Sequence, residues 1–186
     1  MSARGNILGR IRRLQGRTGA AGAAERAAVA ASIAAHATGP RPAAPHDTVA
    51  QFRERAAALT TTLDAVADRA ALPAAVTTYL SAQGLPLRLV CWPEFADLDW
   101  RAVGIDATAR AAVGDDLVGL TGAFCAIAET GTLMLLSGAQ TDATASLLPE
   151  THIAVVASSR VVPDMEAAWA LLRAERGAAM PRAVNF

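Results

Sequence analysis

Apolar residues recur at helical and strand-like periods along most of the chain. From position 47 onward apolar residues recur at intervals of three, four or seven residues, which predicts a helix with Asp47 or Thr48 as its cap. This apolar stripe consists of Val49, Phe52, Leu59, Leu63 and Val66. A second helix is predicted over 72–83, with a proline in its first turn and Gly84 at its end. The apolar run 85–92 then predicts a strand, and such alternation is typical of layered α/β folds.

The C-terminal part of the chain continues this alternation. The uninterrupted apolar run 152–157 predicts a strand buried on both faces of a parallel sheet. A helix is predicted from Asp164 to Gly177, and a further strand opens at 184–186. The weaker pattern over 107–112 predicts a helical turn.

The first 45 residues have a different pattern. Apolar residues at helical spacing among arginines predict a short basic amphipathic helix, whose apolar stripe consists of Ile7, Leu8, Ile11 and Leu14. We expect this helix to dock on its own domain or a neighbouring subunit, because no aromatic residue is interleaved with the arginines as in nucleic-acid contacts. The alanine-rich segment 20–37 predicts a second helix with little to pack against. Three prolines over 39–45 then predict a linker. We therefore expect a helical N-terminal arm and Pro-rich linker over 1–45, and one main domain over 46–186.

Composition narrows the classes of function. The 186 residues carry 17 basic and 17 acidic side chains, so the net charge gives no general attraction to nucleic acid. We expect no membrane span, because no apolar run is long enough. Cys91 and Cys125 are isolated in apolar sequence, and without Cys-x-x-Cys spacing we expect no iron–sulfur or zinc site in this chain. A cytoplasmic protein with reduced thiols is the expectation.

Polar residues interrupt strand-like sequence in the central stretch, residues 121–149. The apolar runs 124–128 and 133–136 flank Glu-Thr-Gly-Thr, which predicts a β-turn or a bulged hairpin. Such a turn would place its polar groups at the rim of a sheet, where ligands of α/β proteins bind. Glu129 is then a candidate base, nucleophile or polar anchor, and the alternative is an exposed turn glutamate.

A second group of polar residues follows the predicted strand at 152–157. Arg160 suits a carboxylate or phosphate, and the alternative is an ion pair with Asp164 or Glu166. His152 is either a hydrogen-bonded edge residue or a catalyst. We predict one pocket at the C-terminal rim of the sheet, formed by Glu129, Thr130, Thr132, Ser159 and Arg160. No metal-ligand spacing occurs, so no metal site is expected.

Several linked motifs follow one another in an order typical of one family. They are Gly-Ala-Phe-Cys-Ala-Ile-Ala-Glu-Thr-Gly-Thr-Leu at 122–133, Ser-Gly at 137–138, Ser-Leu-Leu-Pro at 146–149, His-Ile-Ala-Val-Val at 152–156 and Ser-Arg-Val-Val-Pro-Asp at 159–164. Together they resemble the LUD domain (DUF162) of the lactate utilization protein C family. The resemblance is strong over 118–172 and general over 7–117. It implies a three-layer α/β fold with a central, mostly parallel sheet, similar to CoA transferases and ribose-phosphate isomerase, with the helical arm added. Family members usually continue past Asn-Phe with further strands, so we expect 46–186 to end before them.

The resemblance implies a role in bacterial L-lactate use, in which L-lactate is oxidised to pyruvate. It implies two partner proteins that carry the iron–sulfur clusters, no cofactor bound by this chain alone, and a possible homo-oligomer. By this resemblance Glu129 is the candidate catalytic residue. The candidate ligand-binding residues are Thr130, Gly131, Thr132, Ser137, Gly138, His152, Ser159 and Arg160. Two alternatives stay open: acyl transfer in the manner of CoA transferases, which use a glutamate beside a glycine, and a non-catalytic assembly subunit.

Overall fold

The computed structural model describes residues 2–17, 19–35, 37, 39–40 and 46–186. The chain divides into two compact units, Met1–Pro42 and Ala43–Phe186. The linker predicted over 39–45 lies mostly outside the described residues, as does position 36 of the predicted second helix.

The first unit contains the two predicted helices, α1 (Ala3–Leu14) and α2 (Ala23–Ala35). Ser2 caps α1, since its hydroxyl accepts a hydrogen bond from the Gly5 amide at 3.2 Å. Glu25 in the first turn of α2 accepts a hydrogen bond from the Gly22 amide at 2.9 Å. No residue of α1 or α2 is buried. Local hydrogen bonds therefore define the N-terminal ends of both helices, and packing contributes little to either.

The second unit contains the remaining helices and all of the described strands. The helices are α3 (Thr48–Ala58), α4 (Leu72–Ala82), α5 (Thr144–Leu147) and α6 (Met165–Arg176). The strands are β1 (Arg88–Cys91), β2 (Asp106–Ala109), β3 (Val118–Gly122), β4 (Cys125–Ile127), β5 (Thr132–Leu136), β6 (Thr151–Val155), β7 (Val161–Val162) and β8 (Val184–Asn185).

A four-stranded parallel sheet has the order β2-β1-β3-β6. Every residue of β3 is buried, and apolar side chains of α4 pack with those of β1 and β3 in the largest core cluster. The α/β fold with a parallel sheet is therefore confirmed. Its central strand carries Gly119, where a Cβ would collide with the carbonyl oxygen of Ala145, so glycine allows α5 to approach the strand closely.

A second four-stranded sheet, of order β7-β4-β5-β8, was not distinguished from the sequence. β4 and β5 form the predicted hairpin, β7 runs parallel to β4, and β8 runs antiparallel to β5. Cys125 and Ile127 pack with α6, whereas Ala126 and Ala128 pack with α3. The alternation of side chains along β4 thus gives this sheet a helix on each face.

Three predictions about individual elements are wrong. α3 ends at Ala58 and Leu59 is 64% exposed, because Thr60 adopts a left-handed φ of 66° that breaks the helix. Residues 106–109 form the edge strand β2, since pairing with β1 overrides the helical propensity of alanine. β6 is half-buried along its length, because it is the other edge of the parallel sheet.

Candidate functional site

The turn of the β4–β5 hairpin holds the predicted catalytic residue. Two backbone hydrogen bonds hold this turn in place. The Gly131 amide donates to the Ile127 carbonyl at 3.0 Å, and the Glu129 amide donates to the Pro163 carbonyl at 3.0 Å. Gly131 has a φ of 71°, and a Cβ there would lie 2.6 Å from the Ala56 amide nitrogen in α3. Only glycine suits both the left-handed backbone and this contact.

Two hydroxyl groups accompany Glu129 on this turn. Thr130 donates a hydrogen bond to the hydroxyl of Thr132 at 2.8 Å, so these two side chains satisfy each other. The Glu129 side chain is half-buried and makes no hydrogen bond or ion pair with a described residue. Its carboxylate is therefore available to an outside group.

Arg160 has a different environment from the one expected. Its Nε donates to the Phe124 carbonyl at 2.8 Å, and its guanidinium lies 4.4 Å above the Phe124 ring. Its two terminal nitrogens form a bidentate ion pair with Glu175 of α6. The predicted alternative of an ion pair was therefore correct in kind, but wrong in naming Asp164 or Glu166 as the partner.

Glu129 and Arg160 lie at opposite ends of β4. Arg160 contacts Phe124 before the strand begins, and Glu129 follows after the strand ends. At about 3.3 Å per residue, this separation is roughly 16 Å along the strand. The structure therefore does not bring the two side chains together in the one pocket that we predicted.

The position of Ser159 and Arg160 has a topological cause. β3 and β6 lie side by side, and both continue directly into the second sheet, through Ala123 and through the turn Ser158–Arg160. The Ala123 amide donates to the Val155 carbonyl at 2.9 Å, so the two connections stay paired as they leave the first sheet. The second sheet therefore occupies the rim where the sequence pattern predicted a ligand.

His152 pairs with a buried hydroxyl inside the parallel sheet. Its Nε2 lies 2.8 Å from the hydroxyl oxygen of Thr121, which is fully buried on β3. Burial lowers the pKa of His152, because it disfavours the charged imidazolium. This environment matches a hydrogen-bonded strand residue, the first of the two predicted alternatives.

Ser137 and Gly138 line a surface groove of about 300 Å³ between the end of β5 and the C-terminal end of α6. The Ser137 hydroxyl already has a partner within the domain, since it accepts a hydrogen bond from the Ala183 amide at 2.8 Å. Gly138 and Thr141 pair across a tight turn, and the Thr141 hydroxyl donates to the Leu136 carbonyl at 2.7 Å. Gln140 and Arg176 add the remaining polar groups of the groove.

Arg176 supplies the positive charge of this groove. Its side chain is exposed in the last turn of α6 and makes no hydrogen bond or ion pair with a described residue, although its charge acts on the neighbouring Glu175. A guanidinium beside an amide side chain suits a small carboxylate or another anion. The groove lies at the Leu136 end of β5 and Glu129 at the Thr132 end, so one small ligand does not touch both.

Comparison with known proteins adds the family. The family model of the LUD domain matches residues 49–186. The chain belongs to the LUD domain family. The crystal structure of a DUF162 family protein from Deinococcus radiodurans is similar, with a TM-score of 0.60, 26% identity, and coverage of 77% of this chain and 88% of that one. The predicted resemblance is confirmed.

Relatives of this LUD domain chain are named Lactate utilization protein C. The protein of Geobacillus sp. (strain WCH70) is 41% identical over 71 residues, or 37% of this chain and 30% of its own length. The protein of Geobacillus thermodenitrificans is 39% identical over 84 residues, or 44% and 33%. The protein of Bacillus licheniformis is 32% identical over 100 residues, or 51% and 41%. The chain thus spans less than half of the length of these relatives.

Sequence reasoning missed three polar residues of the LUD domain. Gln140 and Thr141 directly follow the Ser-Gly motif, so the motif itself was a usable signal. No sequence signal pointed to Arg176, because only the packing of α6 against the second sheet brings this residue to the groove.

Glu94 was also missed, although it follows a predicted strand. It stands at the C-terminal end of β1, and a Cβ on Gly122 at the end of β3 would collide with its carboxylate. The direction of strand order reverses between β1 and β3, and ligands of open parallel sheets bind at such a position.

Proposed function

We propose that this chain is a component of a bacterial L-lactate utilization system that oxidises L-lactate to pyruvate together with two iron–sulfur partner proteins. The observation that carries the proposal is the LUD domain over 49–186, with relatives named Lactate utilization protein C. No described helix has both the length and the apolar character that a membrane crossing requires.

The reaction converts the alcohol carbon of lactate to a ketone and releases two electrons and two protons. Within the described ranges, no three His, Cys, Asp or Glu side chains are grouped to hold a metal ion. Burial raises the pKa of Cys91 and of Cys125 to about 11, so neither thiol is a ready thiolate ligand. In this proposal the electrons therefore pass to clusters on the partner proteins.

The groove beside Arg176 is the proposed site for the carboxylate of the substrate. A guanidinium binds a carboxylate through two parallel hydrogen bonds, and Gln140 supplies an amide for a hydroxyl or keto oxygen. Replacing Arg176 with glutamine removes the charge, and Arg182→Gln is a matched control, because Arg182 is exposed and does not line the groove.

A deletion strain complemented with each variant tests both the role and the groove. We expect the deletion to prevent growth on L-lactate but not on pyruvate, Arg182→Gln to restore growth, and Arg176→Gln to restore it poorly. Growth of the deletion strain on L-lactate would contradict the lactate role. Equal growth with both arginine variants would contradict the groove alone.

Iron analysis separates this chain from its partners. We expect the isolated chain to contain no stoichiometric iron and to co-purify with iron–sulfur proteins from a native extract. A cluster bound by the isolated chain would contradict this division of labour.

Acyl transfer from a CoA thioester is the second candidate function. The observation that favours it is the half-buried Glu129 carboxylate, which has no hydrogen-bonding partner among the described residues. In this reaction the carboxylate attacks the thioester carbonyl, a mixed anhydride forms, and the CoA thiolate leaves. Glu129→Gln removes the nucleophile while keeping the size of the side chain.

The two functions predict different results for Glu129→Gln. If the chain transfers acyl groups, the wild-type protein should exchange label between an acyl-CoA and free CoA. The Glu129→Gln variant should lose this exchange while its free energy of unfolding stays unchanged. Absence of exchange in wild type would exclude acyl transfer from the CoA donors assayed. If Glu129 is instead the catalytic carboxylate of lactate oxidation, the variant fails to restore growth on L-lactate.

A further inference from the structure

The net charge of zero conceals a strong asymmetry between the two units. Residues 1–45 hold seven arginines and one glutamate, which is a net charge of +6. Residues 46–186 hold ten arginines and sixteen acidic residues, which is a net charge of −6. Surfaces of opposite charge attract one another and orient their encounter. The arm is therefore complementary in charge to the domain that follows it.

Helix α1 carries most of the positive charge beside an exposed apolar stripe. Ile7, Ile11 and Leu14 are 61%, 44% and 80% exposed, and Leu8 lies next to them. Arg10 and Arg12 flank this stripe on either side at the helical angle of 100° per residue, and α1 has no acidic residue. An exposed apolar stripe bordered by cations is the pattern of a helix that binds an apolar groove with an acidic rim.

The second unit has four exposed apolar side chains on two segments that lie side by side. We call this group the α5 patch: Val113 (55% exposed), Leu117 (39%), Leu147 (70%) and Leu148 (52%). Two hydrogen bonds hold its two segments together, from the Ala112 amide to the Thr144 hydroxyl at 3.0 Å and from the Thr151 amide to the Leu117 carbonyl at 3.0 Å.

Acidic side chains border the α5 patch. Asp115 and Glu150 are exposed and each lies within two residues of the patch. Asp116 is 8% exposed and is already neutralised by Arg110, at 2.6 and 2.7 Å, so it is not available to a partner. The α5 patch thus presents four apolar side chains, beside two exposed carboxylates that have no hydrogen-bonding or ion-pair partner among the described residues.

We propose that this chain dimerises by exchanging arms, with α1 of each copy lying on the α5 patch of the other. The aliphatic stripe of α1 covers the leucines and the valine, and its arginines face Asp115 and Glu150. A single helix of 12 residues makes a small interface, and a two-fold exchange doubles it towards the size of stable dimers. The stripe lacks Trp, Tyr and Phe, the residues that anchor interfacial helices in lipid, which favours a protein surface.

Sedimentation of the full-length chain over a range of concentrations tests this proposal. We expect a dimer that weakens about tenfold or more in Leu147→Ser/Leu148→Ser, and similarly in Ile7→Ser/Ile11→Ser. All four side chains are exposed, so folding should not suffer. Val29→Ser/Ile33→Ser is the matched control, since these residues of α2 are 59% and 67% exposed and lie outside the proposed contact.

Charge reversal provides a second test of the proposed contact. Arg10→Glu/Arg12→Glu and Asp115→Arg/Glu150→Arg should each weaken the dimer, and the four changes together should restore it. Dissociation should also increase between about 0.05 M and about 0.5 M salt, since screening weakens exposed charge pairs. Failure of the combined variant to recover would contradict the proposed charge contact.

Disulfide trapping decides whether the contact lies between copies. One preparation carries Ile11→Cys and another carries Leu148→Cys, so a disulfide between the new thiols must join two chains. We expect mixed preparations to form this product under mild oxidation, and Ile33→Cys with Leu148→Cys to form much less. A monomeric wild type at all concentrations, or a dimer insensitive to the α5 patch, would overturn the proposal. So would a monomer whose Ile7 and Ile11 are needed for binding vesicles of anionic lipid.

Discussion

Helices α2 and α4 are similar in length, yet they differ completely in burial. α2 has 13 residues and buries none of them, whereas α4 has 11 and buries Leu72, Pro73, Val76 and Leu80. Eight of the 13 residues of α2 are alanine, which has the highest helix propensity, so its local sequence favours a helix without a core. A branched apolar stripe and a sheet to receive it make α4 part of a core. The comparison shows that helix formation and contribution to stability are separate properties of this chain.

Hydrogen exchange should show the largest contrast between the two units. The amides of β3 lie in a fully buried strand, so we expect them to exchange only on global unfolding, at about 5–15 kcal/mol. The amides of α2 should open with a free energy of at most a few kcal/mol, because short isolated helices are only marginally stable. Mass spectrometry of peptic peptides measures both. Equal protection of α2 and β3 in a verified monomer would contradict the contrast.

Removing one apolar side chain from each unit gives the next largest effect. Leu80→Ala in α4 should lower the free energy of unfolding by about 2–5 kcal/mol, since Leu80 is fully buried and leaves a cavity. Ile33→Ala in α2 should change it by less than about 0.5 kcal/mol, since Ile33 is 67% exposed. Urea denaturation measures both values. A comparable loss in the two variants would show that α2 belongs to a core.

Glycine substitutions separate the units in the same way. Gly131→Ala should cost about 2–4 kcal/mol, because it combines a left-handed backbone with a clash against α3. Gly9→Ala in α1 is the control, since nothing lies within 4 Å and alanine favours a helix. Thermal unfolding measures the stability of each variant against wild type. A harmless Gly131→Ala would mean that the hairpin turn does not rest on α3.

The ion pair of Asp116 should give the smallest effect and a dependence on pH. Two hydrogen bonds from Arg110 and one from the Val113 amide lower the pKa of Asp116. Its stabilisation is therefore fully present above the unfolded value of about 3.9 and is lost as pH falls through the lower folded value. Asp116→Asn should cost about 1–3 kcal/mol at pH 7.

This pH dependence can be checked by denaturation at several pH values. The stability difference between wild type and Asp116→Asn should shrink as the pH falls below about 3.9. Arg17, whose pair with Glu25 is half-exposed on both sides, provides the control, and Arg17→Gln should have little effect at any pH. A difference that grows on acidification would contradict the assigned cause.

Many elements of this LUD domain were predictable from local signals. Asp47 caps α3 as predicted, by accepting from the Ala50 amide at 2.9 Å. Asp164 was predicted as the start of α6, and it caps that helix by accepting from the Ala167 amide at 2.7 Å. Glu-Thr-Gly-Thr between two apolar runs predicted the hairpin, because Gly131 adopts the backbone that such a turn requires. These features depend on neighbours in sequence.

The candidate site was less predictable. The side chain of Arg160 has two partner residues, Phe124 and Glu175, which lie 36 and 15 residues away, so no local pattern distinguished Glu175 from Asp164 or Glu166 as its partner. The predicted roles of Glu129 and of the residues around it stay predictions. Their separation from Arg160 is a consequence of the second sheet, which could not be inferred from strand-like runs alone.

The sequence by itself determined the positions of α1, α2, α3, α4 and α6, the cap of α3, the central hairpin, the parallel-sheet class and the family motifs. Each of these follows from residues within one or two turns of one another, or from a motif order. The tertiary structure alone decided that residues 106–109 are an edge strand, that β6 is half-buried, and that Arg176 meets Ser137 and Gly138 at one groove. Strand pairing and helix packing join residues far apart in the chain, and their energies override the local preferences that a sequence displays.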